Sequence, residues 1–209
     1  ASAREPLAAA FYDATFAVPT DRHAVERNRC LVARALGCEI ATPPDYGIAF
    51  ARPHGGTAGA TPAAASAAEY AVLLTATSRD DKLWPEARWQ AVGRALRDRG
   101  LVCRLAGGTP SERERAARIA AGIPDAVALP ALGLRELAGQ LTGAKLVIGV
   151  DTGLAHLAAA LGRPTIALFC ASDPGLTGVM AATPMTANLG GRDAPPEVAD
   201  VVAAADALL

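Results

Sequence analysis

The feature that most constrains this chain is the run from residue 147 to residue 169, VIGVDTGLAHLAAALGRPTIALF. Two short apolar runs enclose an Ala/Leu stretch of helical length, and Gly162 and Pro164 mark its stop. A strand, a helix and a strand joined this tightly form a β-α-β unit, with parallel strands and a right-handed crossover. The same alternation precedes it. Strands are predicted at 70–76, 101–107, 125–130, 145–150 and 164–169, and helices at 85–99, 110–121, 134–141, 152–162 and 197–209. Pro85 and Pro110 suit the first turns of their helices, and Gly100 ends one of them. Short apolar strands alternating with helices indicate an α/β domain: a Rossmann-like parallel sheet with helices on both faces.

The first third reads differently. Two helices are expected at 4–16 and 21–37, the second with Ala24, Leu31, Val32 and Leu36 near one face and Gly37 as its stop. Residues 39–47 are extended and contain proline. Residues 52–67, RPHGGTAGATPAAASA, have the composition of an exposed loop. The expected division is therefore a helical segment and connection at 1–51, a flexible loop at 52–67, and one sheet domain at 68–209.

Composition excludes more than it proves. A net charge of −1 gives no electrostatic case for nucleic acid. The hydrophobic fraction of 51% overstates the core, because 50 of the 209 residues are alanine. No apolar run reaches the ~18 residues of a membrane span, and no signal peptide opens the chain. The four cysteines show no metal-binding or redox spacing, as expected of unpaired thiols in a reducing compartment.

In parallel sheets ligands sit beyond the carboxyl ends of the strands. After the strand at 145–150 come Asp151, Thr152 and Gly153, opening a helix directly. A helix N-terminus offers free N–H groups and a positive dipole end, a ready phosphate site, and Gly153 permits close approach. An ordinary Asp N-cap explains such a junction equally well on its own. His156 falls one turn into that helix, where it is either a packed core histidine or a phosphate or sugar contact. After the strand at 70–76 come Thr77, Ser78 and Lys82, which supply two hydroxyls and a point charge for phosphate, or simply a solvated loop. Glu112 lies one turn into the helix after the strand at 101–107. A carboxylate there suits a ribose diol, or complements the helix dipole. Neither a Walker A loop nor a G-x-G-x-x-G fingerprint occurs.

Taken together, AREPLAAAFY (3–12), HAVERNR (23–29), TSRDDKLWPE (77–86), GVDTGLAHLAAALGRP (149–164) and SDPGLTG (172–178) resemble the heptosyltransferases of glycosyltransferase family 9, in the branch that acts first on the lipopolysaccharide core. The resemblance spans nearly the whole chain except 52–67. Cys170 and Ala171 depart from it, standing where the family has Gly-Pro. It implies the C-terminal half of a two-domain GT-B fold and an inverting, metal-independent transfer of L-glycero-D-manno-heptose from ADP-heptose to the Kdo of lipid A–Kdo. The donor is a substrate; neither a cofactor nor a metal is implied. Asp151, Thr152, Gly153 and His156 would contact heptose and diphosphate; Lys82, with Thr77 and Ser78, would hold the diphosphate; Glu112 would bind ribose; Leu132 would lie near adenine. Arg4, His23 and Arg27 match positions facing the acidic acceptor. Family members work at the cytoplasmic face of the inner membrane, touching it through an N-terminal domain that also holds the general base. These 209 residues contain no counterpart of that domain, so weak donor binding without transfer is expected. Two other readings compete: a stand-alone nucleotide-binding module and a GT-B sugar-nucleotide epimerase.

Overall fold

A computed structural model describes residues 10–40, 43–48, 68–181 and 184–209. The loop at 52–67, Arg4 and the start of the 4–16 helix lie outside the described residues.

Six strands form one wholly parallel sheet: β1 (Tyr70–Leu74), β2 (Val102–Ala106), β3 (Val127–Ala128), β4 (Leu146–Val150), β5 (Thr165–Phe169) and β6 (Thr186–Gly190). Their spatial order is β3-β2-β1-β4-β5-β6, the doubly wound arrangement in which the chain leaves the centre in both directions. The central strands β1, β4 and β5 read as nearly unbroken apolar runs because both their faces are buried. Ala71, Leu73, Ile148 and Ile166 face one way, against α2 (Glu86–Asp98), α3 (Pro110–Ala120) and α7 (Val198–Leu208). Val72, Leu74, Val147 and Phe169 face the other, against α4 (Leu134–Gly143) and α5 (Gly153–Ala160). Trp84 and Trp89, both wholly buried, meet edge to face with centroids 5.3 Å apart, a geometry that aromatic quadrupoles favour.

Several boundaries differ from the sequence expectation. Pro85 is the N-cap of α2 rather than its first residue. The strand predicted at 125–130 pairs only over two residues at the sheet edge. Two residues, Asp151 and Thr152, separate β4 from α5, so strand does not pass directly into helix. The edge strand β6 and the short α6 (Pro174–Thr177) were not expected: TANLG has a single bulky apolar side chain and is half exposed, so no apolar run announces it.

The described part of the predicted 4–16 helix is not α-helical: residues 10–11 form a fragment of 3-10 turn and 12–19 are irregular. Phe11 is 87% exposed there, and a helix this short needs a packed face to persist in water. By contrast α1 (Ala24–Leu36) does form. His23 caps it, accepting from the Val25 N–H, and Gly37 closes it at φ 63° in the left-handed region, which glycine enters without strain.

Candidate donor-binding site

The strand order reverses between β1 and β4, and the crevice beyond their carboxyl ends is where doubly wound sheets hold ligands. The residues predicted from the sequence converge there. Thr77, just beyond β1, donates its hydroxyl to the backbone carbonyl of Asp151, just beyond β4, at 3.0 Å. Lys82 Nζ lies 2.7 Å from Asp151 Oδ2, and both side chains are largely sheltered. Ser172 Oγ, beyond β5, donates to the same oxygen at 2.6 Å. Three successive strand ends are thus tied together at one carboxylate. Ser172 opens the SDPGLTG stretch noted in the sequence but was not named there as a site residue; its hydroxyl matters through its contact with Asp151.

Asp151 does not cap α5. The N-cap is Thr152, in extended conformation, and no side chain caps the helix. The ordinary Asp N-cap is therefore excluded. Asp151 is turned instead toward Lys82 and Ser172, and the first amides of α5 are left without a side-chain acceptor. A Cβ placed on Gly153 would meet nothing within 4 Å, so no protein contact demands glycine there; the space in front of it is open.

One turn into α5, burial holds the His156 imidazole below its usual value of 6.5; Asp151 pushes it back up, and His23 adds to the depression. His23 itself bridges α1 to α6: Nδ1 accepts from the Val25 N–H, and Nε2 lies 2.8 Å from the carbonyl of Gly178. With Nδ1 accepting, the proton is on Nε2 and points at that carbonyl. Arg27 lies one turn further on, its Nε buried with no hydrogen-bond partner.

A cleft of about 240 Å³ opens beside Thr152. Thr77, Ser78, Glu112, Leu132, Thr152 and Leu154 are among its lining residues. Glu112 serves two purposes. One oxygen accepts from the amides of Gly108 and Thr109 at 2.8 and 2.9 Å, completing a capping box with Thr109; the other accepts no hydrogen bond from the described residues. Both readings of this residue are therefore compatible. Gly107 is a tight point in the cleft wall: a Cβ there would sit 2.7 Å from the backbone of Glu112 and Arg113, so glycine is needed for α3 to approach β2. Among the described residues, no group of three or more His, Cys, Asp or Glu is gathered as a metal site, and no helix is long and apolar enough to cross a membrane.

The family profile described as glycosyltransferase family 9 (heptosyltransferase) matches residues 1–202. The chain belongs to this family. It is 43% identical over 195 residues to lipopolysaccharide heptosyltransferase 1 of an Escherichia coli O18:K1:H7 strain, covering 92% of this chain and 57% of that protein. To the enzyme of the same name from Pseudomonas aeruginosa it is 44% identical over 178 residues, covering 85% and 48%. The chain thus spans about half the length of the curated relatives it matches. Among solved structures it resembles E. coli heptosyltransferase WaaC with ADP, with a TM-score of 0.81 and 39% identity over the whole of this chain and 63% of that one. It also resembles the same enzyme with ADP-2-deoxy-2-fluoro heptose, with a TM-score of 0.71 and 36% identity, covering 99% of this chain and 61% of that one. The sheet is therefore that of a GT-B glycosyltransferase domain. Membership in this family does not favour the epimerase reading.

Proposed function

We propose that this chain supplies the ADP-heptose-binding half of a transferase that moves heptose to the Kdo of lipid A–Kdo in lipopolysaccharide core synthesis. The observation that carries the reading is the Lys82–Asp151–Ser172 cluster at the sheet's switch point, between an uncapped helix N-terminus and a cleft lined by Glu112 and Leu132. Its support from relatives is their shared name, and the ADP and ADP-sugar analogue in the two solved structures.

In this reading adenine lies against Leu132, and the unbonded oxygen of Glu112 accepts from the ribose diol. The diphosphate reaches the amides of α5 and the two Lys82 N–H bonds that Asp151 does not use. Each charged hydrogen bond contributes about 1.5–3 kcal/mol, and the helix terminus about 0.3–1 kcal/mol more. As the glycosidic bond to the diphosphate breaks, charge grows on the leaving oxygen. Lys82, His156 and the α5 dipole are preorganised to receive it, with no metal needed for that role. The free Asp151 oxygen faces the sugar end. In this reading His23, which bridges α1 to α6, and Arg27, one turn further along α1, suit an anionic acceptor.

One oxygen of each carboxylate is already bonded, Asp151 Oδ2 by Lys82 and Ser172 and Glu112 Oε2 by two amides. In this reading the remaining oxygens serve the donor's own heptose and ribose rather than an acceptor hydroxyl, so the chain alone is expected to bind donor without transferring heptose. Residues 1–51 belong, in this proposal, with the acceptor lobe, and 68–209 form the donor lobe. In this proposal the complete transferase works at the cytoplasmic face of the inner membrane. Titration calorimetry with ADP, paired with a heptose-transfer assay on these 209 residues, tests both parts. ADP binding without turnover is expected; failure to bind ADP overturns the donor-site reading, and turnover overturns the division of labour.

A further inference from the structure

The loop from Thr75 to Trp84 carries Thr77, Ser78 and Lys82, and its two ends meet at one side chain. Arg115, on α3, donates from Nη2 to the carbonyl of Trp84 at 2.6 Å and from Nε to the carbonyl of Thr75 at 3.4 Å. Its Nη1 reaches Glu86 Oε1, in the first turn of α2, at 3.1 Å. Thr75 and Trp84 are wholly buried, and the Arg115 side chain is only 16% exposed. The planar fork of a guanidinium can hold two carbonyls and a carboxylate at once, whereas an ammonium is a point donor. Polar backbone atoms at such depth are costly to leave unpaired.

Arg115 lies three residues after Glu112, one turn along the same helix. α3 therefore governs both ends of the cleft: its first turn presents Glu112, and its second ties the start of the phosphate loop to its end. Between those tied ends the loop is anchored again where it matters, by Thr77 on the Asp151 carbonyl and Lys82 on the Asp151 carboxylate.

We propose that Arg115 is a positioning residue for the diphosphate end of the donor site, closing the Thr75–Trp84 loop so that Lys82 is presented to the phosphates in a fixed place. The proposal rests on the donor-binding reading above. Arg115 touches no substrate in it; it acts through Lys82, Thr77 and Ser78.

The test compares wild type with Arg115→Met and Arg115→Lys in the full chain, titrated with ADP and with adenosine, alongside amide hydrogen exchange without ligand. In Arg115→Met, ADP affinity is expected to fall at least about tenfold and adenosine affinity to hold within about twofold, because the adenosine end of the cleft is left intact. Exchange should rise across 75–84 and stay unchanged in β4 and α5. Arg115→Lys, whose ammonium can hold one carbonyl, should fall between, and it carries the test if Arg115→Met does not fold. Arg97→Met, which removes an exposed pair with Asp125, should match wild type throughout. Equal losses of ADP and adenosine, unchanged ADP affinity in both variants, or exchange rising across the whole sheet would each overturn the proposal. Wild type that binds no ADP instead defeats the donor reading, and the exchange measurement still decides whether Arg115 orders the loop.

Discussion

Helices α1 and α2 are each 13 residues long, and both carry an apolar stripe, yet they are used in opposite ways. α2 buries Trp89, Val92, Gly93 and Leu96 against the sheet. α1 has no fully buried residue, and Leu31, Val32 and Leu36 are 42%, 53% and 74% exposed. It is held at its N-terminus by His23 on the Gly178 carbonyl and, within the segment, by Arg34 on the Ala17 carbonyl. The difference teaches that helical periodicity records an apolar face without recording what covers it. The sheet domain satisfies its own apolar faces; the N-terminal segment does not among the described residues. That is the pattern expected if the segment belongs with a second lobe.

The contrast can be broken by mutation. Trp89→Ala should cost about 3–5 kcal/mol of unfolding free energy in urea titration, the scale for deleting a buried aromatic ring. A loss below ~1 kcal/mol would mean that α2 is not part of the core. Gly107→Ala should cost about 1–3 kcal/mol, because its new Cβ meets backbone that cannot yield cheaply, and it should weaken ADP binding by displacing Glu112. Stability loss without any binding loss would detach Glu112 from the site.

Protonation sharpens the comparison where the two regions meet. With the His156 value depressed in the folded chain, the folded state favours the neutral imidazole over the unfolded one. Its contribution to stability is therefore present above pH 6.5 and is lost as pH falls through that value toward the lower folded one. A bound diphosphate acts the other way, raising the His156 value, so the His156 contact to ADP strengthens as pH falls toward the lowered folded value. His156→Gln should flatten that slope relative to wild type; an unchanged slope would remove His156 from the phosphate contacts. The smallest effect belongs to α1: Leu31→Ala should change stability by less than ~0.5 kcal/mol, as at other exposed positions. A core-sized loss would show that Leu31 is covered after all.

Much of the sheet domain was legible because buried parallel strands are short, apolar and interrupted by helices with clear stops. The strand-end rule pointed to Thr77, Lys82, Asp151 and Thr152 as candidates, and the structure brings them together, although the sequence left each with an ordinary alternative. What escaped depends on contacts between distant segments. β6 has almost no apolar signal and exists by pairing with β5. Ser172 matters only because β5 lies beside β4, and Arg115 because α3 folds back over the β1 loop. In the described part of the expected 4–16 helix, residues 10–16, a helical pattern alone does not hold the chain in an α-helix, and Phe11 is exposed there.

The most direct test of the donor-site account is calorimetric titration of ADP into the wild-type chain and into Lys82→Ala. Removing the ammonium leaves Asp151 facing the diphosphate without its counter-charge, so the account predicts a loss of about 1.5–3 kcal/mol, or more than tenfold in affinity, with the fold intact. Equal ADP affinity in the two proteins would contradict it, because the nucleotide would then be bound somewhere other than the Lys82–Asp151 switch point.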